Sequence, residues 1–200
     1  MRQISDEALF EQYRGGDFAS LRTLIERHHD DLLGFLVRLV GDRHAAEDVF
    51  QETFLQIHHS AGTFDATRRF RPWLFTIAAN KGRDHLRRKG RRQELELSAP
   101  VGKGSGDDDS GPSFVDLLEV DVPMPDAGSL GRERDELVQR ALERLSPPLR
   151  EILLLSYFQR LSYQQIADDL QIPLGTVKSR LHAAVASFAK NWKQVNATER

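Results

Sequence analysis

Along most of this chain apolar residues return at every third or fourth position, the spacing of one face of a helix, and the alternation of a half-buried strand is absent. Four helices are expected early: Glu7 to Tyr13, Phe18 to Leu39, Arg43 to His59, and Pro72 to about Arg88. Four more are expected late: Asp135 to Leu145, a helix opened by Ser146-Pro147-Pro148 and running through about Phe158, Ser162 to Leu170, and about Leu174 to Trp192. From Ser98 to Gly131 the periodicity vanishes into Ser-Ala-Pro-Val-Gly-Lys-Gly-Ser-Gly-Asp-Asp-Asp-Ser-Gly-Pro and the residues after it, rich in breakers and like charge. Within it, Phe114 to Val120 has the apolar content of a helical turn or docking segment, flanked by Pro112, Pro123 and Pro125. The expected fold is all-α: two small helical domains, 1–92 and 132–192, a flexible acidic linker at 93–131 and a tail at 193–200.

Local signals mark the helix ends. Asp42 is placed to N-cap the third helix, and Pro72 suits the first turn of the fourth, where its missing N–H costs nothing. Ser146 and Ser162 precede their helices as N-caps, and Ser162-Tyr163-Gln164-Gln165 has the form of a capping box. Gly15-Gly16-Asp17 is a helix break and not a phosphate loop, because no Gly-Lys-Ser/Thr pattern follows a strand.

Charge changes the picture more than composition does. The formal net charge is -2, but it is divided unevenly. Residues 1–67 hold 6 Lys/Arg against 12 Asp/Glu, 68–92 hold 10 against 1, 93–131 hold 1 against 9, and 132–200 hold 11 against 8. A basic block beside an acidic stretch suggests a polyanion-binding surface, with a solvated charged face as the alternative. The chain has 0 cysteines, which removes disulfides and thiolate metal sites. No apolar run approaches the roughly 18 to 20 residues of a membrane span, and the first residues lack a signal-peptide core, so a soluble, cytoplasmic protein without membrane insertion is expected.

The last two helices are separated by Gln171-Ile172-Pro173, short enough for a helix-turn-helix. On the second of them Val177, Leu181, Ala184, Val185 and Phe188 form one apolar stripe, which turns Thr176, Lys178, Ser179 and His182 outward and leaves Arg180 at the edge. These side chains suit contacts with base edges and phosphates, against the plainer reading of a solvated helical hairpin. Leu161-Ser162-Tyr163-Gln164-Gln165-Ile166-Ala167 with Ile172-Pro173-Leu174-Gly175-Thr176-Val177-Lys178-Ser179-Arg180-Leu181 resembles region 4 of the extracytoplasmic-function (ECF) sigma factors. Ala141-Leu142-Glu143-Arg144-Leu145-Ser146-Pro147 resembles the lead-in helix of that region. The resemblance implies minus-35 promoter binding by Thr176, Lys178, Ser179, Arg180 and His182. It departs from the family pattern at Ala183 and Val185, where arginines are frequent.

In the first half, Asp48, Gln51, Glu52 and Leu55 share one helical stripe, with Phe50, Phe54 and Ile57 on a different side. Such carboxylates can serve acid–base chemistry, a metal or a partner, and no catalytic nucleophile accompanies them. Asp48-Val49-Phe50-Gln51-Glu52-Thr53-Phe54 resembles the polymerase-docking part of sigma region 2, which implies core-polymerase binding by Asp48, Gln51, Glu52 and Phe54. In the basic block Lys81, His85 and Arg88 fall on one stripe and Asn80, Asp84 and Arg87 on the next, a surface able to neutralise phosphates. Trp73 and Phe75 are placed either to stack on bases or to pack in the core. Arg68-Arg69-Phe70-Arg71-Pro72-Trp73 through Arg88 resembles the minus-10 part of region 2, in which the loop at about 60–69 captures an unstacked base. That implies minus-10 contacts from Arg71, Trp73, Asn80, Lys81, Asp84, Arg87 and Arg88.

The pairs His28-His29 and His58-His59 point about 100 degrees apart along a helix, which argues against one shared ion, and no metal or cofactor is expected. The resemblance runs from about Asp6 to Arg92 and from about Leu137 to Phe188. It implies a non-enzymatic sigma factor that binds core RNA polymerase through the β′ clamp helices and the β flap, recognises and melts promoter DNA, and is restrained by an anti-sigma protein. A two-domain regulator with a LuxR-type helix-turn-helix is the alternative, and it should lack the region 2 patterns.

Overall fold

The computed structural model describes residues 4–65, 67–96, 129–159 and 161–198. The regular structure among them is helical: α1 (Asp6–Arg14), α2 (Phe18–Val40), α3 (Arg43–His59), α4 (Phe70–Glu96), α5 (Ser129–Glu143), α6 (Pro147–Gln159), α7 (Tyr163–Leu170) and α8 (Leu174–Thr198), with a short 3-10 turn at Ala61–Thr63. Three ends run well past expectation, while α4 also starts slightly earlier, at Phe70, and α5 stops slightly sooner, at Glu143. α4 runs to Glu96, α5 begins at Ser129, and α8 continues to Thr198, so helix extends into both margins of the expected linker and into the tail. Apolar periodicity marks where a helix is packed, and the last turns of α8 are packed through Val195, which is buried in the core. Residues 97–128, including Phe114 to Val120, lie outside the described residues.

The helix starts follow the local chemistry. The Asp42 side chain accepts from Ala45 N–H, and Ser162 and Gln165 form the reciprocal capping box. Gly41 ends α2 in the left-handed region at φ 83, its N–H donating to the Val37 carbonyl.

α2, α3 and α4 pack on one another, and α1 closes the bundle against α2 and α4. Phe10, Phe35, Phe70, Phe75 and Leu24 are fully buried in it, each such side chain stabilising the fold by about 1.5–3 kcal/mol. In the second unit α5, α6 and α7 pack around α8 through Leu142, Ile152, Ile166, Val177 and Leu181.

The two units touch along α2 and α4 on one side and α5 and α6 on the other. Arg150 fastens this boundary. Its guanidinium is buried and donates to the carbonyls of Leu142, Glu143 and Leu39 at 2.9 Å each, bridging the C-terminal ends of α5 and α2. A cation at two helix C-termini is favoured by both dipoles.

Candidate nucleic-acid interface and polymerase face

On α3 the structure exposes Asp48, Gln51 and Leu55, the last at 59%. Glu52 is half-buried beside them. Phe54 does not join this face: it is 8% exposed and packs 5.1 Å from the Phe50 ring. A step of two residues from Glu52 turns a side chain to the far side of the helix, so Phe54 belongs to the core.

α4 lies beside α3 and carries the basic surface. Asn80, Arg87 and Arg88 are exposed, Lys81 is half-buried, and Asp84 pairs with Arg87 at 3.1 Å. Arg88 Nη2 lies 3.3 Å from both carboxylate oxygens of Glu52. The two stripes therefore meet in one open cleft of about 610 Å³ lined by Asp48, Glu52, His85, Arg88 and Lys89 among others. The Arg88–Glu52 pair is solvent-exposed, so it contributes little, about 0–1 kcal/mol, and yields readily to an outside partner.

At the other end of α4, Arg71 is half-buried, paired with Asp31 at 2.9 Å and set 5.0 Å over the Phe75 ring. Phe75 is fully buried against Phe35, which removes it from base stacking. Trp73 also packs inward, against Phe10 and Phe64 at 5.4 and 4.7 Å. Aromatic residues at the start of α4 build core first. The preceding loop holds its form through Asp65, which accepts from Thr67 N–H and Oγ1–H, and presents exposed Thr67, Arg68 and Arg69.

In the second unit α7 and α8 form the expected helix-turn-helix. Val177, Leu181, Ala184, Val185 and Phe188 are buried as one stripe. Lys178 and Ser179 are exposed, while Thr176, Arg180 and His182 are half-buried. Ala183 is exposed, whereas Val185 is part of the core, where an arginine would have to be buried. Gln171 makes the turn in the left-handed region at φ 52.

Sequence reasoning passed over Arg83 and its partner. Arg83 of α4 meets Glu151 of α6 in a two-point contact, and Arg180 of α8 adds a further attraction to the same carboxylate. Burial pushes the Glu151 carboxyl up from its ordinary value despite these cations. Beside it, the Thr76 hydroxyl lies 2.7 Å from Asp169 Oδ2, and burial raises the Asp169 carboxyl as well. One signal was present: Arg150-Glu151 stand as a charged pair directly before the apolar run Ile152-Leu153-Leu154-Leu155.

The histidines have separate partners. His28 is buried against Asp6, His29 faces Asp30, and His58 meets the Tyr13 hydroxyl. Among the described residues there is no helix long and apolar enough to cross a membrane.

Comparison with known proteins places both units. Sigma-70 region 2 matches residues 24–92, and Sigma-70, region 4 matches residues 135–187. The chain is 32% identical to the RNA polymerase sigma-H factor of Pseudomonas aeruginosa, over 95% of each chain. It is 35% identical to the ECF RNA polymerase sigma factor SigL of Mycobacterium tuberculosis, over 90% of this chain and 93% of that one. Among solved structures it shares its fold with the sigma factor RpoE in complex with the anti-sigma factor NepR from Bartonella quintana: TM-score 0.62, 21% identity, 86% of this chain and 96% of that chain. CnrH in complex with the cytosolic domain of CnrY gives TM-score 0.61 and 24% identity over 92% and 95%. With both regions present in order, the chain belongs to the sigma-70 family as an ECF sigma factor, a transcription initiation factor that binds core RNA polymerase and directs it to promoters.

Proposed function

We propose a division of labour within this initiation factor. Region 2 occupies residues 1–92 and region 4 residues 132–192, with a linker between them. The exposed side of α3, with Asp48, Gln51, Glu52 and Leu55, docks on the clamp helices of core polymerase, and Phe54 supports that helix from inside. The loop at 60–69 and the surface of α4 with Asn80, Lys81, Arg87 and Arg88 receive the separating strands of the minus-10 element. Lys178 and Ser179, flanked by Thr176, Arg180 and His182, contact the minus-35 duplex.

The observation that carries this reading is the meeting of α3 and α4 in one cleft. It sets an acidic and apolar docking face next to a basic strand-binding face, so core binding and melting occur side by side. The protein acts in the cytoplasm as a non-enzymatic factor. Its solved structural neighbours are complexes, one of them with an anti-sigma factor, which supports an inhibitory protein partner here as well.

The test adds the protein to sigma-free core polymerase with a promoter library. Promoter-dependent initiation is expected, with Lys178→Ala weakening minus-35 discrimination and Arg87→Ala slowing opening. Absence of both a core complex and initiation would overturn the reading. DNA binding without core binding would favour a regulator of the LuxR type.

A further inference from the structure

α1 lies outside the span matched to Sigma-70 region 2, which begins at residue 24. One of its acidic side chains, Glu7, nevertheless caps the start of the basic helix, and a second, Asp6, pairs with Arg27 and His28 of α2 and reaches the basic helix through His28. The Phe70 N–H, one of the first-turn donors that α4 leaves without an intrahelical acceptor, donates to Glu7 Oε1 at 3.0 Å. A carboxylate there also meets the positive end of the helix dipole. Arg69, the preceding residue, has no side-chain acceptor to offer, so the cap comes from 63 positions earlier in the chain.

One residue away, Asp6 Oδ2 accepts from Nε2 of buried His28 at 2.8 Å. The other His28 nitrogen lies 3.5 Å from Arg71 Nη1, and its ring lies 5.8 Å from the Phe70 ring. Phe10 adds an apolar seat, with Phe64, Phe70 and Trp73 at 5.0, 5.0 and 5.4 Å. Phe64 precedes the cation-bearing loop and Phe70 follows it, so α1 holds both of its ends while Thr67, Arg68 and Arg69 face solvent.

The geometry points to Glu7 and Asp6 as positioning residues for promoter opening: through the cap on Phe70 and the contact with His28 they set where the loop and Arg71 stand to receive a single strand. The inference rests on the reading of the loop and α4 as the strand-binding surface. A surface that binds an extruded base gains by being ordered beforehand, because an unordered loop would lose its backbone freedom at the moment of binding. Neither carboxylate touches DNA in this role.

The experiment uses the full chain with core polymerase and a promoter carrying a fluorescent base analogue in the minus-10 element. Glu7→Ala is expected to lower the opening equilibrium about tenfold, the scale of a lost N-cap, with core affinity and minus-35 duplex binding within about twofold of wild type. Glu7→Gln keeps an acceptor and should restore most of the opening, and Asp6→Asn should fall between. A structural role alone would lower core binding and opening together in proportion to the folded fraction, and that outcome overturns the inference, as does wild-type opening by Glu7→Ala. Asn80→Ala and Arg87→Ala separate the two levels. If they impair opening while Glu7→Ala does not, the inference fails and the strand-binding reading stands; if they too leave opening intact, the strand-binding reading itself falls.

Discussion

Arg83 and Glu151 face each other across the boundary between the two units, with Nη2 2.5 Å from Oε1 and Nε 3.1 Å from Oε2, and the carboxylate only 7% exposed. Arg83 projects from the basic helix and Arg180, attracted to the same carboxylate, from the helix-turn-helix. An internal acid thus occupies cations from both halves in the way a phosphate would. Glu151→Ala is expected to loosen the boundary by about 1–2 kcal/mol, less than for a pair buried on both sides because Arg83 is half-exposed and rehydrates. Small-angle scattering of the free protein should show a larger radius of gyration, with tighter salt-sensitive binding to duplex DNA. An unchanged scattering profile would count against this role.

The same boundary should respond to acid. Glu151 faces Arg83 and Arg180, and Asp169 faces Thr76, Arg68 and Asp168; burial raises both carboxyls when the units are together. A raised acid holds its proton more tightly in the closed form, so protonation favours closure. That contribution is complete below the ordinary carboxylate values and is lost as pH rises through the raised ones. With 0 native cysteines, dyes can be placed at Arg22→Cys and Lys190→Cys. Energy transfer should increase on moving from neutral pH toward about pH 5, and the Glu151→Gln, Asp169→Asn variant should be flat over that range.

At Gly82 the helix α4 runs tight against α2: a Cβ added there would sit 2.6 Å from Leu39 Cδ2. Gly82→Ala should destabilise region 2 by about 1–3 kcal/mol through overpacking. Leu39→Ala alone leaves a cavity, but in the double variant the added methyl enters that space. Chemical denaturation should give a double-variant loss smaller than the sum of the single losses.

Gln171 holds the helix-turn-helix corner with a positive φ of 52, the C-cap of α7. Glycine takes this conformation without the Cβ clash. Gln171→Gly should stabilise region 4 by about 0.5–1 kcal/mol, read as a higher melting temperature. A lower one would mean that the glutamine side chain contributes more than its backbone costs.

Local physics was legible in the sequence and distant pairing was not. Asp42 at the start of α3 and the Ser162–Gln165 box act within three residues, and both appear where the residues place them. The stripe from Val177 to Phe188 is likewise a property of one helix and is buried as read. The helical period sets Phe54 apart from Glu52, and the structure buries it; only the motif resemblance attaches it to the docking face. Arg83 and Glu151 stand 68 positions apart, and Glu7 caps Phe70 across 63, so no window on the sequence contains both members of either pair.

Arg150 and Glu151 are neighbours that hold the same boundary by different means. Arg150 binds backbone carbonyls of Leu39, Leu142 and Glu143, groups that any amino acid supplies, so related chains can change those three side chains without losing the joint. Glu151 binds the side chain of Arg83, and a change at Arg83 leaves the buried carboxylate with only the weaker attraction of Arg180. Across descendants of this chain the first attachment should persist through sequence divergence, while the second should change only as a linked pair, which would let lineages retune the ease of opening without dismantling the hinge.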